Sequence, residues 1–169
     1  MRTLVFGAMR RSSLTARAAR RLPATTLDGR LDNRAMHDPL ALAKQMYEAL
    51  EDDDVGPFLT LCAPDVTIEY PAAGRLPYGG TWMGRSGAAD FLAAHDAAEE
   101  IVLFDPAPMH LATADLVFVL GTFEGRARDT GRRWRTEFVH VLTFRDGRLT
   151  GWRSFFDTAT AVAAHSGRG

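Results

Sequence analysis

Two stretches of alternating apolar and polar residues, separated by Asp146 and Gly147, constrain the fold of this chain more than any other feature. An Asp-Gly pair between such stretches is typical of a tight β-hairpin. Successive side chains of a strand point to opposite faces, so every second residue before the turn shares one face. These residues are Trp134, Thr136, Phe138, His140 and Leu142. The sequence therefore predicts an antiparallel sheet that turns a histidine toward its apolar side.

The length of the turn decides which residues of the second strand face the same way. A two-residue turn places His140 opposite Arg153, whereas a three-residue loop with a bulge places it opposite Trp152. We expect the bulged register, because it leaves Asp157 in position to cap the last helix. It turns three residues of the second strand inward: Trp152, Ser154 and Phe156.

The rest of the chain alternates between helical and strand-like patterns. Asp38 and Pro39 are typical of a helix start, a second short helix is predicted over 57–63 and a third over 86–98. A last helix is predicted after Asp157. Strands are predicted over 65–71, around Trp82, and at about 101–112, 116–127, 134–144 and 149–156. Helices that precede an antiparallel meander indicate the α+β class.

The first 36 residues differ in composition from the remainder. Residues 1–27 contain six arginines and no acidic residue. This pattern resembles a transit peptide, and it equally fits a disordered tail or a misassigned start upstream of Met36. We expect a basic extension over residues 1–36 that is dispensable for folding, and one domain over residues 37–169.

The remaining composition narrows the class of protein. A net charge of -1 gives no general reason to expect nucleic-acid binding, and no apolar run approaches the length of a membrane span. Cys62 is the only cysteine, which is compatible with a reducing compartment. We expect a cytoplasmic protein, or an organelle-targeted one if residues 1–36 are a transit peptide.

Several motifs together resemble a known family. A helical hairpin is followed by IEYPAAG, GRSGAADFLAAH, TEFVHVLTFRDGRL and FFDTATAVAAH, which cover roughly residues 38–165. Their order is similar to that of the SnoaL-like polyketide cyclases and ketosteroid isomerases of the nuclear transport factor 2-like superfamily. The resemblance implies a cone-shaped α+β fold, in which a curved, mostly antiparallel sheet wraps against three helices and encloses a deep apolar pocket.

The resemblance also implies roles for single positions. Tyr47 matches the oxyanion-stabilising tyrosine of the isomerases, and His140 stands where they carry an acid and where the cyclases carry a histidine. The catalytic base of the isomerases matches Tyr70, and the essential aspartate of the cyclases matches Ser154. Both proton-abstracting carboxyl groups are therefore replaced, and His140 and Tyr47 remain as the candidate catalytic residues.

The predicted pocket contains no carboxylate, which leaves His140 as its one titratable base. Three glutamates fall on the opposite strand parity and are expected at the solvated surface: Glu69, Glu124 and Glu137. Six residues are expected to bind the substrate: Tyr70, Trp134, Phe138, Trp152, Ser154 and Phe156. We expect no cofactor and no metal site, because the remaining histidines have no metal-ligand spacing: His37, His95, His110 and His165.

Three functions remain open for such a pocket. The chain is an acid/base isomerase or cyclase acting on a hydrophobic cyclic ketone or polyketide-like substrate, a non-catalytic binding protein for small hydrophobic molecules, or a structural dimer. A homodimer is expected through the outer face of the sheet, since five apolar residues point away from the pocket there. They are Leu116, Phe118, Leu120, Val139 and Val141.

Overall fold

The computed structural model describes residues 38–51 and 54–166, so the extension predicted over residues 1–36 lies outside the described part. Four helices and seven strands are described. They are α1 (Pro39–Glu51), α2 (Gly56–Leu61), β1 (Cys62–Tyr70), β2 (Gly80–Met83), α3 (Gly84–Ala98), β3 (Glu99–Asp105), β4 (Met109–Thr113), β5 (Leu116–Ala127), β6 (Arg133–Arg145), β7 (Arg148–Phe156) and α4 (Thr158–Ser166). None of the described helices is long and apolar enough to cross a membrane.

The strands form one curved, unclosed sheet in the order β2-β1-β7-β6-β5-β3. β4 pairs with the part of β5 that β3 leaves open. The pairs of this sheet are antiparallel except for β1 and β7, which run parallel. The predicted α+β class, with a mostly antiparallel curved sheet against helices, is confirmed.

One predicted strand is broken in two. The sequence favoured a single strand over about 101–112, whereas β3 ends at Asp105 and β4 begins at Met109. Pro106 and Pro108 lie between them, and neither has a backbone N–H to donate to a ladder. The break lets two short strands share one edge of β5.

Helix starts follow the predicted capping residues. Asp38 Oδ1 accepts a hydrogen bond from the backbone N–H of Leu40 at 3.0 Å. Asp157 Oδ1 accepts from the N–H groups of Ala159 and Thr160 at 3.0 and 3.3 Å. These bonds satisfy donors that the first turn of a helix leaves without partners. The hydrogen bonds of Thr160 and Ala159 also lower the pKa of Asp157.

The turn between β6 and β7 has two residues, so the expected three-residue loop is wrong. Asp146 and Gly147 have φ angles of 50° and 71°, as a type I′ turn requires. A two-residue turn of this type matches the right-handed twist of the strands that it joins.

A bulge farther along β7 restores the predicted inward face. Thr150 is an extra residue in the strand, and the pairing shifts by one residue there. His140 consequently pairs with Ser154, and both predicted partners, Arg153 and Trp152, are wrong. Trp152 and Ser154 are nevertheless only 5% and 3% exposed. The turn and the bulge together turn the predicted residues of β7 inward, although the pairing register differs from the predicted one.

The two faces of β6 differ as predicted. Its inner face is buried and consists of Trp134, Thr136, Phe138, His140, Leu142 and Phe144. Glu69 and Glu124 lie on the outer face of the sheet, where they form ion pairs with Arg153 and Arg133. The core therefore lies between the inner face and the helices, and it contains the predicted site.

Candidate functional site

A hydrogen bond between α1 and β6 forms the centre of the candidate site. Tyr47 lies on the buried face of α1, and its hydroxyl is 2.8 Å from Nδ1 of His140. The two residues are 4% and 2% exposed. They are 93 positions apart in the chain, so the pair exists only because α1 packs across the inner face of the sheet.

Burial keeps both members of this pair neutral. Desolvation lowers the pKa of His140 from 6.5 to about 3, because the charged imidazolium would lose its hydration in the core. Desolvation also raises the pKa of Tyr47 well above its usual value, with a smaller contribution from Tyr70. At neutral pH the pair shares a hydrogen bond between an uncharged phenol and an uncharged imidazole.

Aromatic rings surround the pair. Phe138 stacks on the imidazole of His140 with ring centroids 4.2 Å apart, and Trp152 meets it edge-on at 5.1 Å. Both were predicted as walls of the pocket. Phe104 of β3 was not predicted, although its ring lies 5.7 Å from Tyr47 and 6.3 Å from His140. Simple alternation along β3 could not have indicated it, because a register shift between Ile101 and Leu103 reverses which residues face inward.

Tyr70 and Ser154 continue the site onto the neighbouring strands. Burial raises the pKa of Tyr70, and the adjacent Ser154 hydroxyl lowers it by a smaller amount. The Ser154 Oγ atom nevertheless has no partner in hydrogen-bonding geometry among the residues that the structure describes, and the same holds for Nε1 of Trp152. Buried polar atoms without partners are uncommon in folded proteins.

Two predicted substrate-binding residues lie farther along the core. Phe156 packs on Tyr70 with ring centroids 5.3 Å apart, and on Trp134 at 5.8 Å. The indole Nε1 of Trp134 donates a hydrogen bond to Glu99 at 2.9 Å. The polar atom of Trp134 is thus engaged by the protein, and its position belongs to a second polar cluster.

This second cluster contains a buried carboxyl group that the sequence analysis had not placed in the interior. Glu99, the first residue of β3, is 1% exposed. Its Oε1 accepts from Trp134, and its Oε2 accepts from the Tyr78 hydroxyl at 3.0 Å and lies 2.7 Å from Nε2 of His165. The pairing of Glu99 with Ala127 shows that β3 begins two residues before the predicted strand. Extending the alternation back from Ile101 would have placed Glu99 on the inner face.

His95 adds a second buried histidine beside this cluster. It lies on α3, with its ring centroid 4.5 Å from that of Tyr78 and 6.2 Å from that of Tyr70. Desolvation lowers the pKa of His95 to about 4, against a smaller raising influence of Glu99. The sequence analysis had considered His140 the one titratable base inside. The buried His95 shows that the interior contains a second one. Among residues 38–51 and 54–166, no group of three or more His, Cys, Asp or Glu side chains could hold a metal ion.

A curved α+β cone with a polar pair inside an aromatic core places the molecule in the nuclear transport factor 2-like class. An NTF2-like protein from Burkholderia xenovorans is 26% identical, with a TM-score of 0.68, over 75% of this chain and 95% of that chain. TerC, crystallised with polyporic acid, is 27% identical, with a TM-score of 0.65, over 76% of this chain and 98% of that chain. A SnoaL-like polyketide cyclase from Mesorhizobium loti shares the fold at 18% identity and a TM-score of 0.58, over 69% of this chain and 97% of that chain.

The family follows from the sequence itself. The SnoaL-like domain family matches residues 43–152, which is more than half of the chain. The chain belongs to this SnoaL-like family. No protein with a curated description matches it.

Proposed function

We propose that this chain binds a small hydrophobic cyclic ketone or polyketide-like molecule, and that the hydrogen-bonded pair of Tyr47 and His140 donates one hydrogen bond to its oxygen. The observation that carries this proposal is the buried 2.8 Å contact between the Tyr47 hydroxyl and His140 Nδ1 within an aromatic core. In apolar surroundings such a hydrogen bond is stronger than in water, and it orients a ligand that the rings hold by apolar contact.

The surface of Tyr70 supports a ligand cavity in this part of the core. The side chain of Tyr70 is deeply enclosed by protein, which raises its pKa, and it contacts rings on several sides. It nevertheless retains an intermediate accessible surface. A residue that is enclosed yet accessible is expected to line a cavity. TerC, which is 27% identical to this chain, was crystallised with polyporic acid, and this supports a small-molecule ligand for the shared fold.

An acid/base reaction at this site would proceed through an enol. Removal of a proton next to a carbonyl places negative charge on the oxygen, and nearby donors stabilise that charge. In the tautomer whose Nδ1–H donates to the Tyr47 oxygen, the Tyr47 O–H donates to the carbonyl oxygen, and the Nε2 lone pair of His140 accepts the proton removed from carbon. The pair thus suits an isomerase or cyclase that enolises its substrate.

The low pKa of His140 favours non-catalytic binding as the second candidate function. An imidazole with a pKa of about 3 accepts a proton from carbon reluctantly, because a good general base has a pKa near the working pH. Glu99 accepts hydrogen bonds from Trp134 and Tyr78 and contacts His165, so its oxygens are already occupied. The same site can therefore hold a ketone without reacting with it.

Proton exchange at a bound ketone separates the two functions. Tetralone is incubated with the protein in deuterated water, its binding is measured by calorimetry, and deuterium at the carbon next to the carbonyl is followed by NMR. We expect His140→Gln to slow exchange about 10²-fold, because the group that moves the proton is lost. Tyr47→Phe should weaken binding and slow exchange. Glu137→Gln on the outer face of β6 is the matched control and should change neither.

The outcomes divide as follows. Binding that depends on His140 and Tyr47 without exchange supports the non-catalytic binding protein. Exchange that depends on both residues supports the isomerase or cyclase. Failure of the parent protein to bind tetralone, or equal binding by the His140→Gln variant, contradicts the proposed function.

A further inference from the structure

Three polar side chains form a row across neighbouring strands of the inner face. His140 on β6 pairs with Ser154 on β7. Glu69 of β1 pairs with Arg153 of β7, so the next residues of these parallel strands, Tyr70 and Ser154, lie side by side. Neighbouring strands are about 4.8 Å apart, which separates the backbones at the two ends of the row by about 10 Å.

Apolar side chains border this row on both sides. On one side, Ile68 pairs with Trp152, which in turn pairs with Leu142. On the other side, Phe138 pairs with Phe156. The hydroxyls and the imidazole of this part of the sheet are thus concentrated in one line, with apolar surface above and below it. A flat ligand lying along the line would contact the rings with its faces and the polar groups with its edge.

The middle of the row and the border beside it have buried polar atoms that the described residues do not satisfy. Ser154 Oγ is buried and has no hydrogen-bond partner within the described part of the chain, and neither does Nε1 of Trp152. A buried polar group without a partner costs about 1–3 kcal/mol. Tyr47 bonds to His140 at one end of the row, so it does not relieve this cost. The two atoms therefore indicate a group that arrives with the ligand.

We propose that the ligand carries two oxygen functions, one for the Tyr47 and His140 pair and one for Ser154 and Tyr70. This inference rests on the proposed function, which assigns the ketone oxygen to Tyr47 and His140. The second oxygen, a hydroxyl or carbonyl, is bound by Ser154 and Tyr70. Trp152 Nε1 can only donate, so the atom that it contacts must be an acceptor. The substrate class is an oxygenated, flat hydroxyketone rather than a plain hydrocarbon ketone.

A matched pair of ligands tests the second oxygen. Tetralone has only the ketone, whereas its hydroxylated analogue carries a hydroxyl on the aromatic carbon farthest from the carbonyl. We expect the parent protein to bind hydroxytetralone about 10-fold more tightly than tetralone in calorimetry, because the hydroxyl satisfies a buried partner. Ser154→Ala and Tyr70→Phe should reduce this preference to within about 2-fold. His140→Gln should weaken the binding of both ligands.

Thr122→Ala is the control, because Thr122 lies on the outer face of β5 and the change also removes one hydroxyl. It should leave the 10-fold preference intact. Equal binding of the two ligands by the parent, with tetralone still dependent on His140, overturns the two-oxygen inference and leaves the proposed function in place. A preference that survives both Ser154→Ala and Tyr70→Phe also overturns it. If neither ligand binds the parent, the proposed function fails and the inference fails with it.

Discussion

His140 is a histidine in a strand that is otherwise largely apolar on its inner face, and the structure explains how the core accepts it. The imidazole is neutral, its Nδ1 has a partner in Tyr47, and its faces contact Phe138 and Trp152. Strand alternation could predict that His140 points inward, because it depends on neighbours in the sequence. The match to Tyr47 required the family resemblance, since no local pattern relates residues 93 positions apart.

The buried imidazole makes the folded state sensitive to acid. The pKa of His140 is about 3 in the folded chain and 6.5 in an exposed one. Between these pH values His140 is protonated in the unfolded chain and neutral in the folded chain. Its effect on the free energy of unfolding is therefore absent above about pH 6.5, and stability decreases as the pH falls below it. Lowering the pH from about 7.5 to about 5 should cost about 2 kcal/mol through His140 alone.

Urea unfolding at the two pH values measures this loss. The His140→Gln variant should lose about 2 kcal/mol less than the parent over the same interval, since glutamine does not titrate. His95 titrates in both proteins and cancels in the comparison. An equal acid sensitivity of parent and variant would show that His140 is not buried in its neutral form.

At the scale of elements, the sequence predicted the buried face of each strand better than it predicted which residues pair between strands. The inner face of β6 and the inward Trp152 and Ser154 of β7 are confirmed, because hydrophobic alternation survives small errors of register. The pairing of His140 was wrong, because a tight turn and a bulge each add a shift that local patterns do not show. Glu99 was missed for a related reason. Its partners come from three other segments, and only packing brings them together.

The Glu99 cluster joins the start of β3 to the segment before β2, to β6 and to α4. Its carboxyl group contacts Tyr78, Trp134 and His165, and a Cβ atom at Gly125 would overlap with its Oε1. Replacing Glu99 by glutamine puts an amide donor where an acceptor is needed. We expect Glu99→Gln to lower the free energy of unfolding by about 2–4 kcal/mol in urea titrations at neutral pH.

Glu100→Gln provides the comparison for that measurement. Glu100 is the adjacent residue, its side chain is 47% exposed, and it forms an ion pair with Arg126 at the surface. The same chemical change there should alter stability by less than about 0.5 kcal/mol. Similar losses in the two variants would contradict the assignment of Glu99 as a buried anchor of α4.

At the scale of the whole molecule, the outer face of the sheet carries an apolar stripe. Leu120 pairs with Val139, and Val139 pairs with Phe155, so the three side chains form a continuous row over β5, β6 and β7. Leu120 and Phe155 are 41% and 50% exposed. Phe155 was not among the residues predicted for this face, because the sequence analysis assigned only the inward-facing residues of this strand. We propose that a second copy of the chain covers the stripe.

Sedimentation at micromolar concentration tests this homodimer. We expect the parent to sediment as a dimer and Leu120→Asp to sediment as a monomer, because a charge within an apolar interface is costly to bury. Met83→Asp should remain a dimer. Met83 is an apolar residue with 72% exposure, but it lies on β2 at the other edge of the sheet. A monomeric parent would rule out this interface.

The bulge at Thr150 determines how functional roles should be transferred between relatives. Leu149 pairs before it and Gly151 after it, so a chain without Thr150 could keep the same inward set on both sides. A relative with a regular strand would therefore need a one-residue gap at Thr150 to align with this chain. Placing that gap in the turn instead would equate a residue of one face with a residue of the other within part of β7. The comparison of Ser154 with an acid in another family member is meaningful only when this gap lies before Ser154, and the exact position of the gap decides how residues 148–150 are compared.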